Sequence, residues 1–152
     1  MLSVTIEHVT AGSLRGAVLL LQAGRLRGWR STGLGDAPAG SIEVPLERPS
    51  FVADAIERGV PISTRDAAEL AEVFPSLPQP PPNRVGLALP ILVGGRAVAL
   101  LYVDDGNSET PVVPSNWPEQ AEILTRHAGR CLEALTLARA NGLPQRASQE
   151  MR

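Results

Sequence analysis

The chain has 152 residues, enough for one domain with a sizeable core, and its formal charge of −2 gives no reason to seek nucleic acid or anionic lipid. All fourteen basic residues are arginine, which excludes lysine chemistry such as a Schiff base and points to a GC-rich coding sequence and a bacterial source. The single cysteine, Cys131, excludes an intrachain disulfide framework and a cysteine-rich zinc site, and aromatic residues at 3% leave little for nucleobase stacking.

Residues 1–15 form a leader that reads either as a short strand or as the remains of a helix. Residues 16–22, GAVLLLQ, read as a buried strand; the apolar run at 17–21 is far too short to span a bilayer and no basic segment precedes it, so neither a membrane span nor a signal peptide is expected, and the cytoplasm is the default compartment. A tight turn, AGR, leads into a second strand at 26–30, and STGLGDAPAG is a loop by composition. Residues 41–46, SIEVPL, alternate and carry a proline, which confines them to an edge strand.

Ser50 is placed to cap a helix whose apolar side is Phe51, Ala55 and Ile56, and Gly59 stops it. A short strand at 60–63 follows, then a helix over 65–73 capped by Ser63 or Thr64. PSLPQPPP, residues 75–82, is an extended loop.

Residues 85–105, VGLALPILVGGRAVALLYVDD, form a hairpin about Gly94-Gly95. A two-residue turn pairs Val93 with Arg96, Ile91 with Val98, Leu89 with Leu100 and Leu87 with Tyr102, giving one bulky apolar face and one face of mostly small residues. Both faces must then be covered. A long helix over 118–140 is the natural cover, with a stripe of Ala121, Leu124, Ala128, Cys131, Leu135 and Ala138. Ile123, Leu132 and Leu137 fall partly outside that stripe; the broadening reads by default as deeper burial within the chain, and alternatively as a contact with a second subunit. Asn141-Gly142 and Pro144 end the helix, and residues 141–152 are a polar tail expected to be disordered.

The hairpin followed by WPEQAEILTRHAGRCLEAL resembles the second half of a GAF domain. VLLLQAGRLRGWRSTGLG is similar to that family's first hairpin, and SFVADAIERGVPIST to its middle helix and following strand. The resemblance covers residues 16–140 and rests on element order rather than on catalytic residues. It implies an α+β fold: a PAS-related antiparallel sheet of five or six strands, with helices on one face and a lidded pocket on the other. The helix that normally precedes the first strand looks short or missing, which fits a fragment of a larger protein, and Ala99 stands where many relatives have glycine.

The family's chemistries can be set against the residues present. The cyclic-nucleotide signature contains a lysine this chain lacks. A bilin or sulfoxide-reductase site needs pocket thiols, whereas Cys131 lies in the helix stripe as a small hydrophobe. His127 and His8 read as surface or capping residues rather than haem ligands. Asp104 and Asp105 point to opposite faces and cannot readily share one ion, GLGD lacks a phosphate-binding lysine, and no metal signature is present. PQPPP reads as a rigid loop or linker.

Arg30, Arg65 and Arg84 are the arginines considered for an anionic ligand. The resemblance therefore implies a non-catalytic sensory or regulatory module, with its cofactor unknown, homodimeric through terminal helices, acting on a signalling partner or a fused output domain. Its pocket residues would be Trp29, Arg30, Phe51, Arg84, Leu87, Tyr102 and, at the rim, Asp104, with a subunit contact or core packing the alternatives for Trp29 and surface solvation the alternative for each arginine. The competing expectation is a protein-binding scaffold whose pocket is filled by its own side chains.

Overall fold

The computed structural model describes residues 15–32, 38–75, 85–104 and 116–140. The GLGD loop, the proline-rich stretch with Arg84, Asp105, the leader before Arg15 and the C-terminal tail lie outside the described residues. The elements are β1 (Arg15–Gln22), β2 (Arg25–Thr32), a short 3-10 turn (Ala39–Ser41), β3 (Glu43–Pro45), α1 (Phe51–Arg58), β4 (Ile62–Thr64), α2 (Ala67–Val73), β5 (Gly86–Val93), β6 (Arg96–Asp104) and α3 (Trp117–Ala140). The strands form one sheet in the order β3-β2-β1-β6-β5-β4, antiparallel throughout.

Local chemistry explains most boundaries. Ser50 Oγ accepts the Ala53 N–H at the start of α1, and Gly59, at φ 66°, closes it in the left-handed conformation that glycine adopts freely. The cap of α2 is Asp66, not Ser63 or Thr64: its carboxylate accepts the Ala68 and Glu69 N–H groups, while Thr64 Oγ1 accepts the N–H of Asp66 itself. A carboxylate is the better acceptor at a positive helix end, so the helix begins two residues later than expected. Glu69 on α2 accepts the Phe51 N–H and ties the two helices together. Pro45 sits in the outermost strand, where its missing N–H costs nothing.

The central hairpin departs from the expected register. Val93 does face Arg96, but the pairing shifts between Ile91 and Leu92, where Ala97 and Ala99 are consecutive partners and Val98 is the extra residue of a β-bulge. Beyond the bulge the alternation of β6 is inverted: Ala88 faces Tyr102, Pro90 faces Leu100, Leu89 faces Leu101 and Leu87 faces Val103. Each face thus receives the bulky residues of one strand and, on the α1 side, the small residues of the other. Leu87 and Tyr102, expected together, lie on opposite faces.

Two cores result. Between the sheet and α1/α2 lie Leu19, Leu26, Phe51, Val52, Leu100 and Tyr102, with Ile42, Val44, Leu70 and Phe74 around them. On the other face Val18, Leu87, Leu89, Leu101 and Val103 pack beneath Trp117 and Ala121 of α3. The buried side of α3 is Trp117, Ala121, Thr125, Ala128 and Gly129. Gly129 is required by contact: a Cβ there would stand 2.6 Å from the carbonyl oxygen of Leu92. The helix leaves the sheet near Glu133, which accepts the Gly94 N–H at the hairpin tip, 2.8 Å away. The expected apolar stripe continues beyond that point without a floor, so Leu135 is 40% exposed, and Cys131 is only half-buried.

Candidate functional site

The space assigned to a pocket lies between the α1 face of the sheet and α1 itself. Phe51, buried at the first turn of α1, sends its ring toward Phe74 and Tyr102, with centroids 6.5 and 6.2 Å apart in edge-to-face geometry. Phe74 and Tyr102 lie closer still, at 4.6 Å. Ring quadrupoles favour such tilted contacts, and three mutually touching rings leave no room for a planar ligand between them. Phe74 follows the last turn of α2, and nothing in the local sequence marks it as a partner of Tyr102.

Beneath the rings sits a buried ionic group. Arg15 Nε and Nη2 donate to Asp104 Oδ1 and Oδ2 at 2.6 and 2.9 Å, and the Tyr102 hydroxyl donates to Asp104 Oδ2. Asp104 has no exposed surface and Arg15 is 4% exposed. Asp104 was expected at a pocket rim, as one of two acids opening a polar loop. It remains strand, and because it shares the Tyr102 face it points into the core, where a carboxylate must be paired. Gly86, its cross-strand neighbour, makes room, since a Cβ there would come within 3.2 Å of the Tyr102 oxygen and 2.8 Å of Leu70. Burial opposes the charge of Arg15, but the hydrogen bond and charge of Asp104 outweigh it and the guanidinium pKa is raised. Burial first, then the Asp104 charge and hydrogen bond, push the Tyr102 phenol well above its ordinary value, against the opposing Arg15. Arg15 Nε and Nη2 and the Tyr102 hydroxyl are all directed at one buried carboxylate, which holds the charges close together inside the fold.

The other expected pocket residues are dispersed. Trp29 is the extra residue of a second bulge, where β1 pairs Val18 with Arg30 but Leu19 with Gly28. It is 42% exposed and carries Arg30 over its ring at 5.2 Å. Leu87 packs under α3. An open hollow of about 550 Å3 does front α1 and α2, and its charged lining is acidic, with Asp54, Asp66, Glu69 and Glu72. Asp66 and Glu69 are engaged in holding helix N-termini, so that cluster reads as structural. On α3, Ile123 and Leu137 are each 63% exposed and Leu132 is half-buried. Among the described residues no group of three or more His, Cys, Asp or Glu could hold a metal ion, and no helix is long and apolar enough to cross a membrane.

No protein-family profile matches the sequence, and no curated protein matches it. Solved structures do. The GAF domain/HD domain protein from Geobacter sulfurreducens superposes with a TM-score of 0.67 at 14% identity, over 90% of this chain and 92% of that one. The second GAF domain of DevS from Mycobacterium smegmatis gives 0.63 at 12% identity, over 90% and 94%. An enzyme, the type II free methionine-R-sulfoxide reductase from Thermoplasma acidophilum, gives 0.58 at 12% identity, over 84% and 85%. Such identities speak for the fold alone. A six-stranded antiparallel sheet with α1 and α2 on one face, α3 on the other, and this agreement with several GAF domains together show that the chain has the GAF fold.

Proposed function

We propose that the chain is a non-catalytic regulatory module of bacterial, cytoplasmic origin that acts through α3. In this reading α3 pairs with α3 of a second copy, and changes in its packing pass to a signalling partner or a fused output domain. The observation that carries the reading is the exposed apolar surface of α3. Ile123, Leu135 and Leu137 are three of the six exposed large hydrophobics among the described residues, and all three lie on one helix whose last turns run past the sheet. Concentrated exposure of this kind marks contact surfaces.

The filled space beneath α1 favours control by contact over control by a ligand held there. A catalytic role finds no thiol pair, since the chain has one cysteine, and that residue is on α3 rather than among the α1 core residues. Light scattering coupled to size exclusion tests the reading: the wild type should run as a dimer, and Ile123→Glu with Leu137→Glu as a folded monomer. A wild type that stays monomeric at every concentration sinks it.

A further inference from the structure

On the α3 face of the sheet, away from the aromatic trio, a cleft of about 350 Å3 lies between α3 and the outer edge of β5. The strand order explains it. β4 pairs with β5 only from Gly86 to Ala88, and the next outward position, Pro90, has no N–H to continue the ladder. The edge is therefore open from Pro90 until Gly129 of α3 closes over Leu92. Leu89, Pro90 and Leu92 line the cleft from the strand, and Val60 and Pro61, just after the turn that ends α1, form an apolar wall. Val60 is 39% exposed there.

The charged lining comes from successive turns of α3: Glu122, Arg126, Arg130 and Glu133. Glu122 is engaged by Arg126, one turn on. Glu133 accepts the Gly94 N–H. Arg130 has neither an ion pair nor a hydrogen bond among the described residues, so one positive charge is left over an apolar trough. Thr125, also in the lining, gives its proton to the Ala121 carbonyl and keeps its oxygen lone pairs for a donor. The volume falls within the range of small-molecule sites.

We propose that this cleft binds a small organic carboxylate: an apolar body laid on Leu92, Val60 and Pro61, and one carboxylate held by the Arg130 guanidinium. A ligand wedged there touches α3 and the end of α1 together and would set the seating of α3 on β5. The inference deepens the regulatory reading and rests on it for the output, not for binding.

The test is titration of the full chain with octanoate, followed by backbone amide NMR. Octanol supplies the body without the charge, and acetate the charge without the body. Saturable octanoate shifts should centre on Gly59, Val60, Leu92 and Gly129, with octanol and acetate at least about tenfold weaker. Arg130→Gln should weaken octanoate about tenfold, and Val60→Asp comparably. Arg130 is exposed, and circular dichroism confirms that each variant is folded. Absent saturable shifts, shifts that map elsewhere, or an Arg130→Gln variant that binds as the wild type does would each overturn the proposal. Because the readout is binding, these results stand apart from the dimer measurement.

Discussion

Replacing Asp104 by Asn is the most informative perturbation of this fold. The substitution keeps shape and volume but removes a charge from a carboxylate that has no exposed surface and is held by Arg15 at 2.6 and 2.9 Å. The amide offers one oxygen where the carboxylate offered two, and it turns an N–H donor toward either the guanidinium or the Tyr102 hydroxyl. Arg15, 4% exposed, loses the carboxylate charge that its Nε and Nη2 donors face. Stripping one partner from a buried pair costs about 3–5 kcal/mol, whereas the hydroxyl alone is worth about 1–3 kcal/mol. A domain of this size is stable by roughly 5–15 kcal/mol, so Asp104→Asn should remove a large part of that and Tyr102→Phe a smaller part. Urea unfolding followed by far-UV circular dichroism measures both, with an unchanged m-value showing that stability alone has moved. Arg15→Met with Asp104→Leu should be less destabilised than Asp104→Asn, since both charges of the pair are removed together. A loss below about 1 kcal/mol for Asp104→Asn would place the pair among solvent-exposed ones and refute the argument.

Three further outcomes are expected. Gly129→Ala forces a methyl to within 2.6 Å of the Leu92 carbonyl oxygen, so α3 must shift; a loss of about 1–3 kcal/mol in the same assay is expected, and a neutral result would mean α3 does not seat on β5. Phe51→Ala empties the centre of the aromatic trio and should cost about 3–5 kcal/mol; a cost under about 1 kcal/mol would show that the rings are not packed as described. The third concerns pH. The Tyr102 phenol is raised in the folded state, so the folded chain holds a proton that the unfolded chain gives up. This contribution is complete below about pH 10 and is lost as the pH climbs toward the folded value. Unfolding midpoints should fall more steeply above about pH 10 in the wild type than in Tyr102→Phe; parallel falls would contradict the buried, protonated phenol.

Local signals carried far because they depend on neighbours in the chain. Ser50 and Gly59 bracket α1 by capping chemistry, Gly94-Gly95 makes the hairpin turn, and Pro45 and the short alternating run confine β3 to an edge. The order of these elements carried the resemblance to a GAF domain, and the superpositions agree with it. The candidate site was less legible. The parity of Asp104 with Tyr102 was visible, and an acid on a core-facing position demands a base, but the base is Arg15, 89 positions away, and no local pattern selects it.

The amino-acid sequence by itself determined which of the described segments are strand or helix and roughly where they stop, because caps, turns and alternation act over a few residues. Tertiary structure alone decided which face each side chain took. One extra residue at Val98 inverts β6 against β5, sends Leu87 beneath α3 and leaves Tyr102 with Phe51 and Phe74. A bulge costs little locally and is selected by how well two opposed layers fill, a property of the whole packed molecule. The same holds for α3, whose apolar stripe runs on past the sheet: periodicity says that a face is apolar, and only the end of the hairpin says where its cover stops.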